Sequence, residues 1–292
     1  MSAQPLLRFA QYLRVSDKSE NTVEAYLRDL RLFGEWFQGS NSEQMTPEGI
    51  TPIDVREYKA YLLQVKRFKP ATVNRKLASI SAFCEWATHH SLIEANPAEG
   101  IGNVQEVELA PKWLAKKEQY ALLRAVQKEG NTRDEAVLML LLHTGIRVSE
   151  ASNLRLSDIE ISQRKGRVTV RDGKGGKYRV VPLNADVRRA LAKYLEARPE
   201  AQHDYVFVGK QKGQLKPWGI QYVASKYAYL ARLDGVTPHT LRHTFGKNLV
   251  DAGISLDKVA TLLGHKNLNT TRMYRRPSAT DLAQAVERLA TR

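Results

Sequence analysis

The stretch RVTVRDGKGGKYRVVPL (167–183) is where the character of this 292-residue chain changes. On either side apolar residues recur every three or four positions, the spacing of helices that bury one face. Here valines alternate with polar residues about a glycine-rich centre, Gly173-Lys174-Gly175-Gly176. Alternation interrupted by a turn that tolerates left-handed backbone predicts a β-hairpin, with strands at 167–172 and 177–183. Outward from it the helical period returns. Helices are expected near 116–128 and 133–143, the second stopped by Gly145 in a left-handed cap, and near 185–197, 218–232, 239–252, 255–263, 270–275 and 279–290.

Further upstream, ANPAEGIGNVQEVELAPK (95–112) combines prolines and glycines with a loss of periodicity, which marks an interdomain linker. Before it lie four amphipathic runs. They carry Leu6, Phe9, Ala10 and Leu13; Tyr26, Leu30, Phe33 and Phe37 after a cap at Ser19 or Asn21; Val55, Tyr58, Leu62 and Val65; and, after Pro70, Val73, Leu77, Ile80, Ala82 or Phe83, and Trp86. The expected fold is therefore mainly α with a small β-sheet or hairpin in the C-terminal domain. Residues 1–94 form an N-terminal helical bundle, 95–112 the linker, and 113–292 a mixed α+β domain.

Composition narrows the function. Hydrophobic residues make up 42% and charged residues 26%, which excludes a disordered or fibrous chain. No run approaches the roughly 20 apolar residues of a membrane span, and the first residues lack the pattern of a signal peptide. The lone Cys84 permits neither an internal disulfide nor a cysteine metal cluster, and its place in the fourth run is that of a buried hydrophobe. A cytoplasmic protein without contact to membranes is expected. Net charge is +14, with 45 Lys+Arg against 31 Asp+Glu. It is concentrated: residues 1–109 hold 12 basic and 14 acidic side chains, residues 110–292 hold 33 and 17. A basic cluster in the first part, Arg56, Lys59, Lys66, Arg67, Lys69, Arg75 and Lys76, is opposed in its window only by Glu57. A polyanion, nucleic acid above all, is the expected partner.

Four segments carry candidate chemistry. Arg147 follows the Gly145 cap, with Glu150 three residues on, as though a new helix begins beside an anion site. In TPHTLRHTF (237–245), Thr237 caps and Pro238 opens a helix, so His239 and Arg242 share a face. A forked guanidinium beside a proton-exchanging imidazole suits a phosphodiester. His243 points elsewhere on that helix and is expected to be a packed or surface histidine. In LLGHKNLNTTRMYRR (262–276), His265 follows the stop at Gly264, and Tyr274 sits among Arg272, Arg275 and Arg276 with Met273 its one apolar neighbour. Exposure of Tyr274 toward a site is expected. The hairpin turn adds Lys174 and Lys177.

Taken together with SENTVEAYLRDLRLF (19–33), TVNRKLASISAFCEWA (72–87) and TGIRVSE (144–150), these segments make the chain resemble a tyrosine recombinase of the lambda-integrase superfamily, closest in style to the Xer recombinases. The resemblance runs over nearly the whole chain. It implies a two-domain site-specific recombinase that cleaves and rejoins DNA through a 3′-phosphotyrosine link, without metal, cofactor or ATP. It implies Arg147, Lys174, His239, Arg242 and His265 as catalytic residues, Tyr274 as nucleophile and Glu150 as the supporting acid, with Lys177 the alternative to Lys174. Double-stranded DNA and a tetramer with itself or a related recombinase on two sites are the implied partners, and the nucleoid the implied place of work. A type IB-like topoisomerase and a non-catalytic DNA-binding protein are the rival expectations. The apolar stripe of 279–290 (Leu282, Ala285 or Val286, Leu289) is expected either to pass to a neighbouring protomer or to pack within its own core.

Overall fold

The computed structural model describes residues 3–16, 18–106, 111–171, 178–265, 267, 269–275 and 286. The chain divides into two compact units, residues 1–108 and 109–292. The first is built from α1 (Ala3–Val15), α2 (Glu20–Asn41), α3 (Pro52–Gln64) and α4 (Pro70–His89). Local chemistry sets each start. Ser19 Oγ accepts the Thr22 N–H at 3.2 Å, and Thr51 exchanges bonds with Asp54, whose carboxylate takes the Thr51 N–H at 2.8 Å. The predicted apolar positions meet in one core around Phe9, Phe33, Tyr58, Phe83 and Trp86. Cys84 lies fully inside it, its thiol pushed up to about 12 by burial. Val65 departs from the expectation and is 66% exposed. It is the C-cap of α3 and keeps helical backbone, its N–H still bonded to the Tyr61 carbonyl, but the last turn of the helix leaves its side chain in solvent.

The basic cluster of this unit also divides. Asp29, buried in α2, accepts hydrogen bonds from Arg75, from Lys76 at 3.0 Å and from Ser79 at 3.2 Å, all on α4. Lys76 is only 4% exposed, and Lys59 donates to the Gly102 carbonyl at 2.5 Å. These lysines hold the unit together, while Arg56, Lys66, Arg67 and Lys69 stay on the surface. Within the segment read as a linker, residues 96–106 are fastened to the first unit. The Asn74 side chain both donates to the Val104 carbonyl (2.9 Å) and accepts its N–H (2.7 Å), and Asn96 donates to the Ser81 carbonyl at 3.3 Å.

The second unit contains α5 (Lys116–Glu129), α6 (Thr132–Thr144), α7 (Val148–Asn153), β1 (Ile159–Ile161), β2 (Gly166–Arg171), β3 (Tyr178–Pro182), α8 (Ala185–Glu196), α9 (Pro217–Leu230), α10 (Pro238–Asp251), α11 (Leu256–Leu263) and α12 (Asn269–Arg272), followed by a 3₁₀ turn at Met273–Arg275. Helix α6 is its axis. The run AVLMLLL (136–142) is apolar on every face, and all seven side chains are buried, because α5, α8, α9 and α10 surround it. The predicted hairpin is part of a three-stranded antiparallel sheet in the order β1-β2-β3. The added strand, Ile159–Ile161, is too short to show alternation and is defined by its pairing with Gly166–Val168. No described helix is long and apolar enough to cross a membrane. The stripe of 279–290 lies outside the described residues apart from Val286.

Removing the buried carboxylate with Asp29→Ala leaves Lys76 inside without its counter-charge. We expect a loss of about 3–5 kcal/mol in urea unfolding, against ~1 kcal/mol for Ser79→Ala, which removes a single neutral donor.

Candidate active site

Helix α6 ends at Thr144, Gly145 takes the left-handed cap (φ 62°), and the chain turns at once into α7, whose cap residue is Arg147. That turn brings Glu150 back onto the arginine. Glu150 Oε2 accepts the Arg147 backbone N–H at 2.6 Å, and Oε1 accepts the Arg147 guanidinium at 2.9 Å. From β3, Arg179 lays its fork on the same carboxylate at 2.9 and 2.7 Å. Burial works against a charged Glu150, but the bonds from Arg179 and the Arg147 N–H outweigh it and hold the acid at about 2. Arg147 keeps 43% of its side chain exposed and lines, with Glu150, His265 and Thr270, an open cavity of about 680 Å³.

Helix α10 begins as its sequence demands, with Thr237 accepting the Thr240 N–H and Pro238 in the first position. Arg242, one turn in, is 5% exposed and donates to the carbonyls of Gly145 and Leu263, so it ties the ends of α6 and α11 together. Burial, then the nearby Arg147, lowers its pKa to about 10, which leaves it charged at neutral pH. Helix α11 closes on Gly264 (φ 67°), and His265 follows. His265 Nδ1 lies 2.8 Å from the hydroxyl of the buried Thr271. If the threonine hydroxyl donates, Nε2 carries the proton outward. The His265 ring stacks on Tyr274, 6.4 Å between centroids and 11° from parallel.

Arg147, Arg242, His265 and Tyr274, drawn from four separate segments, thus converge. Three findings differ from the sequence expectation. Tyr274 is buried, 1% exposed, among Phe245, Val259 and Leu263. Its polar neighbours in sequence gave no sign of this, because the slot is made by other helices: a Cβ on Gly246 of α10 would come within 2.6 Å of the phenol ring. Burial raises the phenol pKa, and Arg242 pulls the other way. Secondly, His243, expected as a packed or surface histidine, is packed and half-buried, but its Nδ1 also lies 3.1 Å from the Tyr274 hydroxyl, a contact that the sequence does not foresee. His239 is exposed, its ring centroid 6.5 Å from that of His243. Tyr274 approaches α10 from the C-terminal side, so the second histidine of the helix meets it. Thirdly, Arg179 and Thr271 belong to the site although neither was singled out in the sequence. Lys174 and Lys177 lie outside the described residues.

Comparison with known proteins now decides the family. Residues 112–280 match the model described as phage integrase family, and residues 6–94 match the phage integrase N-terminal SAM-like domain. The chain belongs to the phage integrase family. The chain is 31% identical over 293 residues to the TnP I resolvase of Bacillus thuringiensis, covering 97% of this chain and 98% of that protein. It is 33% identical over 293 residues to tyrosine recombinase XerA of Pyrococcus furiosus, covering 99% and 94%. Among solved structures, the post-cleavage complex of the XerH recombinase on palindromic difH shares the fold with a TM-score of 0.74 at 19% identity, over 97% of this chain and 94% of that one. The Tn1549 integrase with a circular-intermediate DNA gives 0.73 at 19% identity, over 98% and 99%. Like other members of this family of tyrosine recombinases, the chain is an Xer-like enzyme of DNA strand cleavage and rejoining.

The two half-buried histidines of this integrase-family site, His243 and His265, make stability depend on pH. Burial, with neighbouring cationic and imidazole groups, lowers His243 and His265 from 6.5 to about 4. Between those values the unfolded chain binds more protons than the folded one, so stability is full above pH 6.5 and drains as pH falls toward 4. We expect the guanidinium midpoint to fall from pH 7 to pH 5, and the fall to be shallower when both histidines are replaced by glutamine.

Proposed function

We propose that Arg147, Arg242, His265 and Tyr274 carry out recombination by a phosphotyrosine mechanism, with Lys174 and His239 completing the set. Two DNA-bound protomers on each of two sites, contributed by this chain or by a related recombinase, would form the working tetramer. The observation that carries this assignment is the meeting of two arginines and a neutral histidine around the Gly145 and Gly264 turns, with a tyrosine ring stacked on that histidine. The exposed Arg147 and the remaining donors of Arg242 face the negative charge that grows on the nonbridging oxygens as the phosphorus becomes pentavalent. His265, neutral at physiological pH, offers a hydrogen bond without adding charge.

Tyr274 Oη attacks phosphorus as the bond to the 5′ oxygen breaks. The phenol proton passes to His239, and Lys174 protonates the departing 5′ oxygen. The bond count is unchanged, so the 5′ hydroxyl of a second strand reverses the attack and reseals DNA without ATP. In the conformation described above the hydroxyl rests on His243, and it must leave that partner to reach a phosphate beside Arg147. Transfer of Tyr274 from its slot is thus a step before cleavage. The basic second unit and the exposed Arg56, Lys66, Arg67 and Lys69 of the first supply the electrostatic attraction for duplex DNA. The biological role in this reading is resolution of chromosome or plasmid dimers or recombination of a mobile element, carried out in the cytoplasm at the nucleoid.

Tyr274→Phe is expected to bind a nicked recombination site with unchanged affinity and to form no covalent adduct on denaturing gels. An adduct formed by that variant would assign the nucleophile elsewhere. Adduct formation by the wild-type protein is expected to persist in EDTA, since arginine and lysine side chains supply the positive charge; a strict need for a divalent ion in the cleavage step would overturn this assignment.

A further inference from the structure

The Arg147–Glu150 pair is held from outside by a residue that touches no reacting group. Arg179 stands on β3, opposite Val170 of β2 and two residues before Val181, so it occupies the inward face of the sheet. Its side chain is 15% exposed, and that of Glu150 11%. Every nitrogen of its guanidinium is used. The two terminal nitrogens fork onto Glu150, and Nε donates to the Leu262 carbonyl at 3.0 Å. Room for the head group exists because Gly264 has no side chain: a Cβ there would meet the guanidinium at 2.8 Å.

We infer that Arg179 is a positioning residue for strand cleavage: it fixes Arg147 through the Glu150 carboxylate and fixes the turn that carries His265 through the end of α11. This inference rests on the recombinase assignment of the same site. Three features support a positioning role over simple packing. A buried ion pair contributes little net stability compared with apolar side chains of similar size, so stability alone gives no reason for it. Only a planar fork matches both carboxylate oxygens while a third nitrogen reaches Leu262, a geometry closed to lysine. Each Glu150 oxygen is shared between Arg179 and Arg147, so loss of one fork frees the carboxylate to rotate and Arg147 with it. Arg147 also donates to the Gly264 carbonyl at 3.3 Å, so both routes from Arg179 end on the same two residues, Arg147 and His265.

The test uses the full chain on a nicked site. Arg179→Lys is expected to slow covalent adduct formation at least tenfold, with DNA affinity within twofold of wild type. It is also expected to give cleavage a second acid limb, from Glu150, that the wild type lacks. The charged groups acting on Glu150 are Arg147 beside it and Arg179 from β3, with Arg242 of α10 coupled to it; Arg155, Asp158, Arg171 and His265 line the same cavity and are unchanged in the variant. Loss of the Arg179 fork lets burial raise the carboxylate from about 2 toward the working range. The His265 titration is common to both proteins, and the new limb is the difference between them. A second measurement covers the case in which Arg179→Lys folds poorly. In the cycle formed with Glu150→Gln, the double variant is expected to cleave no more slowly than the slower single variant, per folded molecule. Unchanged cleavage, a loss matched by the loss of folded protein, or additive effects in the cycle would overturn the inference. If wild-type protein forms no Tyr274 adduct, the recombinase assignment fails. If it does and Arg179 is indifferent, only this inference fails.

Discussion

The carboxylate of Glu150 is the charge on which the site depends. Three guanidiniums, those of Arg147, Arg179 and Arg242, gather within reach of one another, an arrangement that like charges oppose. Burial and the proximity of Arg147 lower Arg242, and Glu150 pulls it back. The acid receives four hydrogen bonds, two from each of Arg147 and Arg179. A single buried anion thus makes a concentration of positive charge tolerable within a folded unit. It leaves that charge only partly neutralised, and the surplus is the electrostatic complement of a phosphodiester.

The same field sets the state of the histidines. Burial and the surrounding cations keep His243 and His265 neutral at physiological pH. A neutral ring both donates and accepts, so His265 takes part in an exchange with Thr271 while its other nitrogen stays available, and His243 engages the Tyr274 hydroxyl. The phenol is held in an apolar slot whose floor is Gly246. Burial there opposes ionisation of the phenol, and the charge on Arg242 favours it.

In the first unit charge serves two ends. Arg75 and Lys76 converge on Asp29, and Lys59 grips the chain at Gly102, so part of a basic cluster that looked like a phosphate-binding face is structural. A count of lysines and arginines measures the long-range field correctly and says nothing about which side chains face outward. The remaining exposed members of the cluster, and the far larger surplus of the second unit, keep the attraction for a polyanion.

Much of the protein was legible in its sequence, because helical period, capping residues and turn glycines act over a few positions. Phe9, Phe33 and Trp86 fall inward by spacing alone, Thr237-Pro238 starts α10, and Gly145 and Gly264 stop their helices. The alternation of 167–183 gives the hairpin, and one sign within it went unused: an arginine, Arg179, on the face shared with Val168, Val170 and Val181. Tertiary structure decided what depends on groups far apart in the chain. The burial of Tyr274 follows from Gly246 and Leu263, the contact with His243 from the approach of one segment to α10, and the pairing of Arg179 with Glu150 from the docking of a strand against a helix start. Local sequence fixes backbone dihedrals and the direction of each apolar face. The partner of a polar atom is set only when separate elements close on one another, since hydrogen bonds and ion pairs act over a few ångströms between residues that the chain keeps dozens of positions apart.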